Sequence, residues 1–250
     1  MSLQFAVIVA TYYRKNGKTK FFIERMLKSL ENQTFKDFKV FIIGDNYADA
    51  REFDSIIKSN TLNIFKYNNL KSCRNGYFRI PINKWSSGGI FARFYGINKA
   101  MNEGYKYYLH LDDDDIWENF HIETIRNAII NFPLADFIYT KSKFYSKILP
   151  DISTSISQSY NNLLPTPRQV VHSTWCINLH TLGNIIIDLY RKRIARVESF
   201  KINPRKEFKL QAFDKIILST IKNYSLSGKT KIFFVNKVTC QKENDVNIPI

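Results

Sequence analysis

A run of four consecutive aspartates is the pattern in this 250-residue chain with the strongest potential for chemistry. Asp112, Asp113, Asp114 and Asp115 directly follow the apolar segment 105–111, which is typical of a buried strand. Adjacent carboxylates raise one another's pKa and destabilise the fold unless a cation compensates for their charge. Mg²⁺ and Mn²⁺ suit carboxylate oxygens, and Mg²⁺ is commonly held by one or two carboxylates together with substrate phosphates. The pattern therefore predicts a metal–diphosphate site, with a solvated acidic turn before the next helix as the alternative.

Short apolar strands and segments of helical spacing alternate through the first half of the chain. We predict strands over 4–11, 38–43, 62–67 and 105–111, and helices over 20–33, 51–58, 86–103 and 119–131. This alternation predicts a Rossmann-like α/β fold, in which helices flank a mostly parallel sheet. Ligands of such sheets bind at the carboxyl ends of the strands, where the four aspartates lie.

The second half of the chain is less regular and is predicted to belong to the same single domain, residues 1–250. A Ser-, Asn- and Pro-rich stretch over 146–168 indicates a long loop. The other expected elements are a strand within 135–145, a helix or strand over 174–190, a helix over 210–223 and a strand over 231–239.

The net charge of +15 is concentrated in the second half of the chain. Residues 1–140 hold 19 basic and 15 acidic residues, whereas residues 141–250 hold 18 basic and 7 acidic residues. The densest stretch, 191–209, contains Arg191, Lys192, Arg193, Arg196, Lys201, Arg205, Lys206 and Lys209. This stretch could be a solvated helix face, or it could contact a diphosphate or anionic lipid head groups. We expect an anionic acceptor or an acceptor at a membrane surface, with AT-rich codon usage as the competing explanation.

Cysteine usage and the N-terminus predict a cytoplasmic protein. Cys73, Cys176 and Cys240 are widely spaced and match neither a zinc pattern nor a disulfide framework. The N-terminus has no positive region followed by a cleavage site, so no signal peptide is expected. No apolar run approaches the ~18–20 residues of a membrane span.

Three stretches in a characteristic order resemble the family-2-type glycosyltransferases of GT-A fold. They are FAVIVATYYR at the start, ERMLKSLENQTFKDFKVFIIGD, and SSGGIFARFYGINKAMNEGYKYYLHLDDDD, which ends in the aspartates. The resemblance covers about residues 4–130. It implies a nucleotide-sugar-binding half over 1–130 and a smaller acceptor-binding part over 131–250 that contains the basic region.

The resemblance implies a role for each matching residue in a nucleotide-sugar site, with UDP as the expected nucleotide. Asp45 would read the base through the uracil imide N–H, Asp112 would lie by the ribose, and Asp114 would bind Mn²⁺ or Mg²⁺ on the diphosphate. The other nucleotide-binding positions implied are Thr11, Tyr12, Arg14, Arg93 and Asp113. As structural alternatives, Asp45 could form an Asx turn and Arg93 could be a solvated helix residue.

The sequence departs from the family pattern at two places. Gly44-Asp45-Asn46-Tyr47 stands where the family has Asp-Asp-Gly-Ser, so one carboxylate and the turn glycine are missing. Ala10 and Tyr13 stand where the family has Pro and Asn.

In the second half, Asp214 is the candidate catalytic base. Inverting sugar transfer needs a group that deprotonates the acceptor hydroxyl. The family uses an Asp in a Glu-Asp pair at a helix start; here Asp214 lies at a predicted helix start but lacks the preceding Glu. Asp151 and Asp188 are rivals for this role.

His172 and Trp175 are candidate acceptor-binding residues. Their rings, within VVHSTWCINLH, could stack on an acceptor sugar, or His172 could supply an additional metal ligand. A buried turn in the core is the alternative for both residues.

Together these features predict a metal-dependent, inverting glycosyltransferase. It would move a sugar from a UDP-linked donor to a hydroxyl of a glycan, a lipid-linked molecule or another acceptor. The alternatives are a nucleotidyltransferase, prompted by Gly17 and the basic residues after the first strand, and a basic nucleic-acid-binding protein. A nucleic-acid partner is not expected, because acids at a strand end would repel phosphate.

Overall fold

A computed structural model of the chain describes residues 3–14, 17–72, 78–150 and 170–242. Its strands are Phe5–Thr11 (β1), Phe38–Asp45 (β2), Ile64–Asn69 (β3), Tyr107–Asp112 (β4), Asp115–Trp117 (β5), Phe137–Phe144 (β6), Lys147–Leu149 (β7), Trp175–Asn178 (β8) and Ile232–Lys242 (β9). Its helices are Lys18–Glu31 (α1), Ala50–Ile56 (α2), Pro81–Ser86 (α3), Ile90–Asn102 (α4), His121–Asn131 (α5), Leu179–Ile202 (α6) and Phe213–Leu226 (α7).

One mixed sheet runs through the molecule in the order β3-β2-β1-β4-β8-β6-β9-β5, with β7 paired to β6. Strands β3, β2, β1, β4, β6 and β9 point in one direction, and β8, β5 and β7 oppose them. The predicted mostly parallel sheet flanked by helices is therefore confirmed. The sheet draws strands from both the 1–130 and the 131–250 parts of the chain.

The register of the parallel strands brings their carboxyl ends to one edge of the sheet. Thr11 of β1 pairs with Gly44 of β2, and Ala10 pairs with Asp112 of β4. The first residues of the acidic run therefore lie beside the ends of β1 and β2, as expected for the ligand-binding edge of such a sheet.

Two predicted segments differ in detail from the observed elements. The predicted helix over 86–103 corresponds to α4, which begins after Gly89, where a φ of 71° lies in the left-handed region that favours glycine. The short helix α3, just before this stretch, was not predicted. The stretch 174–190 begins as β8 and continues into α6, which reaches Ile202. Within the described residues, no helix is both long and apolar enough to cross a membrane. Most of the predicted 146–168 loop, from residue 151 onward, lies outside the described residues.

The core consists of two layers, one on each face of the sheet. Helices α4, α6 and α7 cover one face, and α1, α2 and α5 cover the other. Side chains of β1 alternate between the two layers, with Ile8 on the first and Val7 and Val9 on the second. Burial on both faces explains why β1 is an almost continuous apolar run.

We expect Gly96→Ala to lower the free energy of unfolding by about 1–3 kcal/mol, because α4 lies very close to the sheet there. A Cβ on Gly96 would be 2.7 Å from Cγ2 of Ile8 and 3.2 Å from Cγ1 of Ile43. This overlap outweighs the helix propensity that alanine adds, about 1 kcal/mol. Urea unfolding measures the effect, with Lys222→Ala on an exposed position of α7 as the control. A Gly96→Ala protein as stable as the original chain would contradict the close approach.

Candidate active site

A cleft of about 350 Å³ opens at the carboxyl edge of the sheet. One side is formed by the ends of β1, β2 and β4, and the other by Gly88, Gly89 and the first turn of α7. The predicted site residues that line this cleft are Thr11, Tyr12, Arg14, Asp45, Arg93, Asp112, Asp113, Asp114, His172 and Asp214. The fold thus brings candidate donor residues and the candidate base to one cavity, although about 100 residues separate Asp114 from Asp214.

Asp113 and Arg14 form a buried, two-pronged ion pair at the floor of the cleft. Arg14 donates from Nη1 to Oδ2 of Asp113 at 2.7 Å and from Nη2 to Oδ1 at 2.8 Å. Thr11 also donates to Oδ2 of Asp113, at 2.7 Å, and the Arg14 guanidinium lies 4.1 Å from the ring centroid of Tyr12. These contacts tie the end of β1 to the acidic turn, so Arg14 and Asp113 shape the cleft from within.

Asp115 is paired with Lys242, a residue that the sequence analysis did not select. The antiparallel pairing of β5 with β9 places the two residues opposite each other, and Nζ of Lys242 lies 2.9 Å from Oδ1 of Asp115. The same Nζ is 3.5 Å from Asp114 and 4.0 Å from Asp112. Burial raises the pKa of Asp115 to about 7, because it outweighs the attraction of Lys242. Lys242 therefore supplies part of the positive charge that the acidic run requires.

Asp112 accepts hydrogen bonds from two partners that hold it in its ionised form. Arg93 donates from Nη2 at 2.9 Å, and Nε2 of His110 lies 3.0 Å away. Burial lowers the pKa of His110 to about 4, so its ring is neutral and donates from Nε2, while Nδ1 accepts from the Tyr108 hydroxyl. His110 was missed, yet the sequence contained a signal: Tyr108, His110 and Asp112 alternate along one face of β4.

His172 connects the two sides of the cleft. Its Nε2 lies 3.1 Å from Oδ2 of Asp214 and its Nδ1 lies 3.8 Å from Oδ2 of Asp112. Burial alone would lower the pKa of His172, but the two carboxylates outweigh it and raise that pKa. At Asp214 the balance is reversed. Burial alone would raise its pKa, but His172 and the backbone N–H groups of α7 outweigh burial and lower that pKa. Both shifts favour the charged forms of His172 and Asp214, as expected for two groups 3.1 Å apart.

Trp175 lies in the core beneath His172 rather than on the surface of the cleft. Its ring is 3% exposed, and it meets the His172 ring edge-to-face at 4.8 Å. The predicted stacking of Trp175 on an acceptor sugar therefore does not fit the structure. The indole supports the His172 ring, and His172 itself faces the cleft.

Asp45 lies at the rim of the cleft, where its Oδ2 accepts from the backbone N–H of Gly89 at 3.1 Å. The next residue, Asn46, has a φ of 61°. Asparagine tolerates this left-handed conformation better than most residues, so Asn46 replaces the turn glycine that the family pattern places here. Tyr47 is buried, and its hydroxyl is 2.8 Å from Oγ1 of Thr11. The departures from the family sequence thus preserve a tight turn at the end of β2.

Of the two rivals of Asp214, the structure describes one, and it lies away from the cleft. Asp188 is on the exposed side of α6, where it pairs with Lys192 at 2.6 Å. Asp151 lies outside the described residues. Ser173, which the sequence analysis also missed, accepts from the backbone N–H of Asp112 at 3.0 Å and donates to Oδ2 of Asp115 at 2.5 Å. It braces the acidic turn against the segment that carries His172.

This architecture, with the acidic turn at the ligand-binding edge of the sheet, matches the GT-A-like fold that the sequence predicts. The chain is 31% identical over 255 residues to "Uncharacterized glycosyltransferase R139" of Acanthamoeba polyphaga mimivirus, covering 98% of this chain and 96% of that relative. The chain therefore belongs to the glycosyltransferases, and both alternative classes are set aside. No protein-family model matches the sequence.

Crystal structures of S. aureus TarS share the fold. TarS 1–349 in complex with UDP-GlcNAc has a TM-score of 0.63 and 17% identity, with 97% of this chain and 60% of that chain covered. The complex with UDP has a TM-score of 0.62 and 17% identity, with 95% and 60% covered. This chain thus spans about 60% of the length of those TarS chains, and identity at this level supports a common fold only.

Proposed function

We propose that this glycosyltransferase moves a sugar from a UDP-linked donor to an acceptor hydroxyl, with inversion and with a bound divalent cation. The observation that carries the proposal is that the Asp214 carboxylate shares one cleft with Asp112 and Asp114 and faces them across His172. A single displacement requires a base on the side of the sugar opposite the departing diphosphate, and this arrangement offers one. The TarS complexes with UDP-GlcNAc and UDP support a uridine nucleotide as the donor for this fold.

The acidic turn fits a divalent cation, and Lys242 limits which of its carboxylates could bind one. Ligand atoms of Asp112, Asp114 and Asp115 lie within 4.8 Å of one another. Asp115 is fully buried and engaged by Lys242 and Ser173, whereas Asp114 is 27% exposed to the cleft. Asp114 and Asp112 would therefore hold Mn²⁺ or Mg²⁺, which supplies charge neutralisation to the leaving diphosphate when bound.

The protein's own cations complement a nucleoside diphosphate at the same place. Arg93 and Lys242 both line the cleft beside Asp112 and Asp114. Gly88 and Gly89 bring backbone close to the cavity at the start of α4, where the helix dipole favours an anion, although the N–H of Gly89 is engaged by Asp45. The diphosphate would lie between these groups.

On the acceptor side, Asp214 would take the proton from the attacking hydroxyl. Its carboxylate is ionised, lies in the first turn of α7 and is oriented by Nε2 of His172. The side chain of Asp214 is about a quarter exposed, so an acceptor can reach it from the cleft. His172 acts as a positioning residue in this arrangement.

Hydrolysis of UDP-, GDP- and dTDP-linked sugars by the purified protein tests the proposal. We expect UDP-sugar hydrolysis that depends on Mn²⁺ or Mg²⁺ and exceeds hydrolysis of the other donors, because water can replace the acceptor. An anomer of inverted configuration in the product, read by NMR, would support single displacement. Hydrolysis of none of the donors, or retained configuration, would contradict the proposal.

Asp114→Asn is expected to weaken Mn²⁺-dependent UDP binding by at least about 10-fold. Even the loss of a residue that only hydrogen-bonds a metal ligand lowers metal affinity or activity by about 10–100-fold. Titration of UDP with and without Mn²⁺ measures the effect. Asp188→Asn removes an equivalent charge from the exposed side of α6 and serves as the control. Mn²⁺-dependent binding that survives in Asp114→Asn would place the cation elsewhere.

His172→Gln is expected to move the acid limb of the kcat/KM profile to higher pH. His172 lowers the pKa of Asp214, so its removal raises that pKa, and the base is then protonated at a higher pH. His180→Gln, at an exposed position of α6, is the matched control. An unchanged limb, or one that moves to lower pH, would mean that His172 does not tune the base.

A further inference from the structure

Two segments beside the cleft form one basic and apolar surface, which we call the basic tip. It consists of residues 79–84 on and before α3 and residues 201–209 after α6. We propose that the basic tip docks the protein on an anionic lipid bilayer and presents the cleft to acceptors at that surface. The docking itself is independent of the proposed function, whereas the delivery of acceptors rests on it.

Hydrogen bonds hold the two segments together as one surface. Asn83 donates from Nδ2 to the carbonyl of Phe208 at 2.8 Å, and its Oδ1 accepts from the N–H of Leu210 at 2.7 Å. Glu207 accepts from the backbone N–H groups of Arg79 at 2.6 Å and Ile80 at 3.1 Å. Charges from both segments therefore lie on a common, ordered face.

The basic tip has a large excess of positive charge at its surface. Its exposed cations are Arg79, Lys84, Lys201, Arg205, Lys206 and Lys209. Its own acid, Glu207, is engaged by the backbone of the other segment and by Asn83. The other acid within 191–209 is Glu198, which lies one turn before the tip on α6. Such a cluster attracts anionic head groups.

The structure also shows which cations of the basic stretch 191–209 are exposed to an anionic partner. Arg193 is buried, and its Nη2 donates to the carbonyl of Gln211 at 2.6 Å. Lys192 pairs with Asp188 on the side of α6. Of the Arg191–Arg193 group only Arg191 and Lys192 are exposed, so the largest cluster of exposed cations in this stretch lies at the tip.

Exposed apolar side chains lie among these cations, and they distinguish a bilayer from a soluble polyanion. Ile202 is 86% exposed, Ile82 is 45% exposed and Phe208 is 43% exposed. The Phe208 ring is held by Phe200, with ring centroids 5.4 Å apart, and by the guanidinium of Arg196 at 4.2 Å. A lipid interface accommodates both the charges and the apolar side chains, whereas a soluble polyanion would use the charges alone.

The basic tip lies next to the cleft, so docking would bring the cleft close to the membrane surface. Both segments continue directly into the cleft: Ser86 at the end of α3 and Ala212 before α7 line it. Asp214 follows two residues after Ala212. A lipid-linked acceptor at a docked surface would therefore have its hydroxyl near the proposed base.

Co-sedimentation with vesicles tests the docking. We expect the full chain to bind vesicles that contain phosphatidylglycerol, to ignore pure phosphatidylcholine, and to dissociate as salt is raised. Arg205→Gln/Lys206→Gln/Lys209→Gln should lower the partition coefficient by about 100-fold, given the contribution of each cation near an anionic surface. Lys20→Gln/Lys28→Gln/Lys58→Gln removes the same charge from exposed positions on or near α1 and α2, which cover the opposite face, and should change it little.

Ile202→Ser provides a second variant that leaves the charge unchanged. It should weaken vesicle binding several-fold without altering binding of soluble polyphosphate. The proposal is overturned if the original chain ignores anionic vesicles, if both triple variants lose binding equally, or if Ile202→Ser has no effect. UDP titration of each variant reports folding and the donor site separately, so failure of docking is distinguishable from failure of the proposed transfer.

Discussion

Asp214→Asn is expected to lower kcat for sugar transfer by about 10²–10⁴-fold, the usual contribution of a positioned general base. The substitution preserves the shape of the side chain and a hydrogen-bond acceptor for Nε2 of His172, which lies 3.1 Å away. It removes the charge that would accept the hydroxyl proton. Because the groups that we propose to bind the donor lie at the opposite side of the cleft, UDP affinity should change little.

Steady-state kinetics with saturating donor measure this effect, and UDP titration verifies the donor site. Asp188→Asn is the matched control, because Asp188 was the other described candidate and lies exposed on α6. A kcat within a few-fold of that of the original chain would show that another group accepts the proton. A large loss of UDP affinity would instead assign Asp214 to the donor side.

Arg14→Met is expected to lower the free energy of unfolding by about 3–5 kcal/mol, the largest effect on stability that we predict. Arg14 is 7% exposed and Asp113 is 4% exposed, and two hydrogen bonds of 2.7 and 2.8 Å join them. Removal of the guanidinium leaves the Asp113 carboxylate buried with Thr11 as its remaining hydrogen-bond donor among the contacts described above. The cost arises from the uncompensated buried charge rather than from the attraction that is lost.

A double-mutant cycle in urea unfolding separates these contributions. The Arg14→Met/Asp113→Asn protein should recover part of the stability, because no charge is then left unpaired. Lys20→Met, at an exposed pair with Glu24, should change stability by less than about 1 kcal/mol. If Arg14→Met behaves like Lys20→Met, then Asp113 is solvated in the folded protein and the pair does not brace the acidic turn.

Much of the architecture could be predicted because its signals are local. Apolar periodicity located β1, α1, β2 and β4 to within a few residues of their observed bounds. The acidic run after β4 indicated the ligand-binding edge, and the alternation of strands and helices indicated a mostly parallel sheet. The same local reasoning missed the short helix α3 and placed the start of α4 a few residues too early, before the two glycines Gly88 and Gly89.

The residues that contact the acidic run were harder to predict from the sequence. The four aspartates suggested a compensating metal, yet Arg14, Arg93 and Lys242 also neutralise them. His110 could have been found from the alternation along β4. Nothing in the sequence pointed to Lys242.

The sequence by itself determined the fold class, the edge of the sheet where ligands bind, and the candidacy of Asp114 and Asp214. These follow from residue types and periods that act over one turn or one strand. Only the tertiary structure decided which charges meet: Lys242 with Asp115 across 127 residues, and His172 with Asp214. The physical reason is that such pairs depend on strand register and helix packing between distant segments, which local composition does not encode.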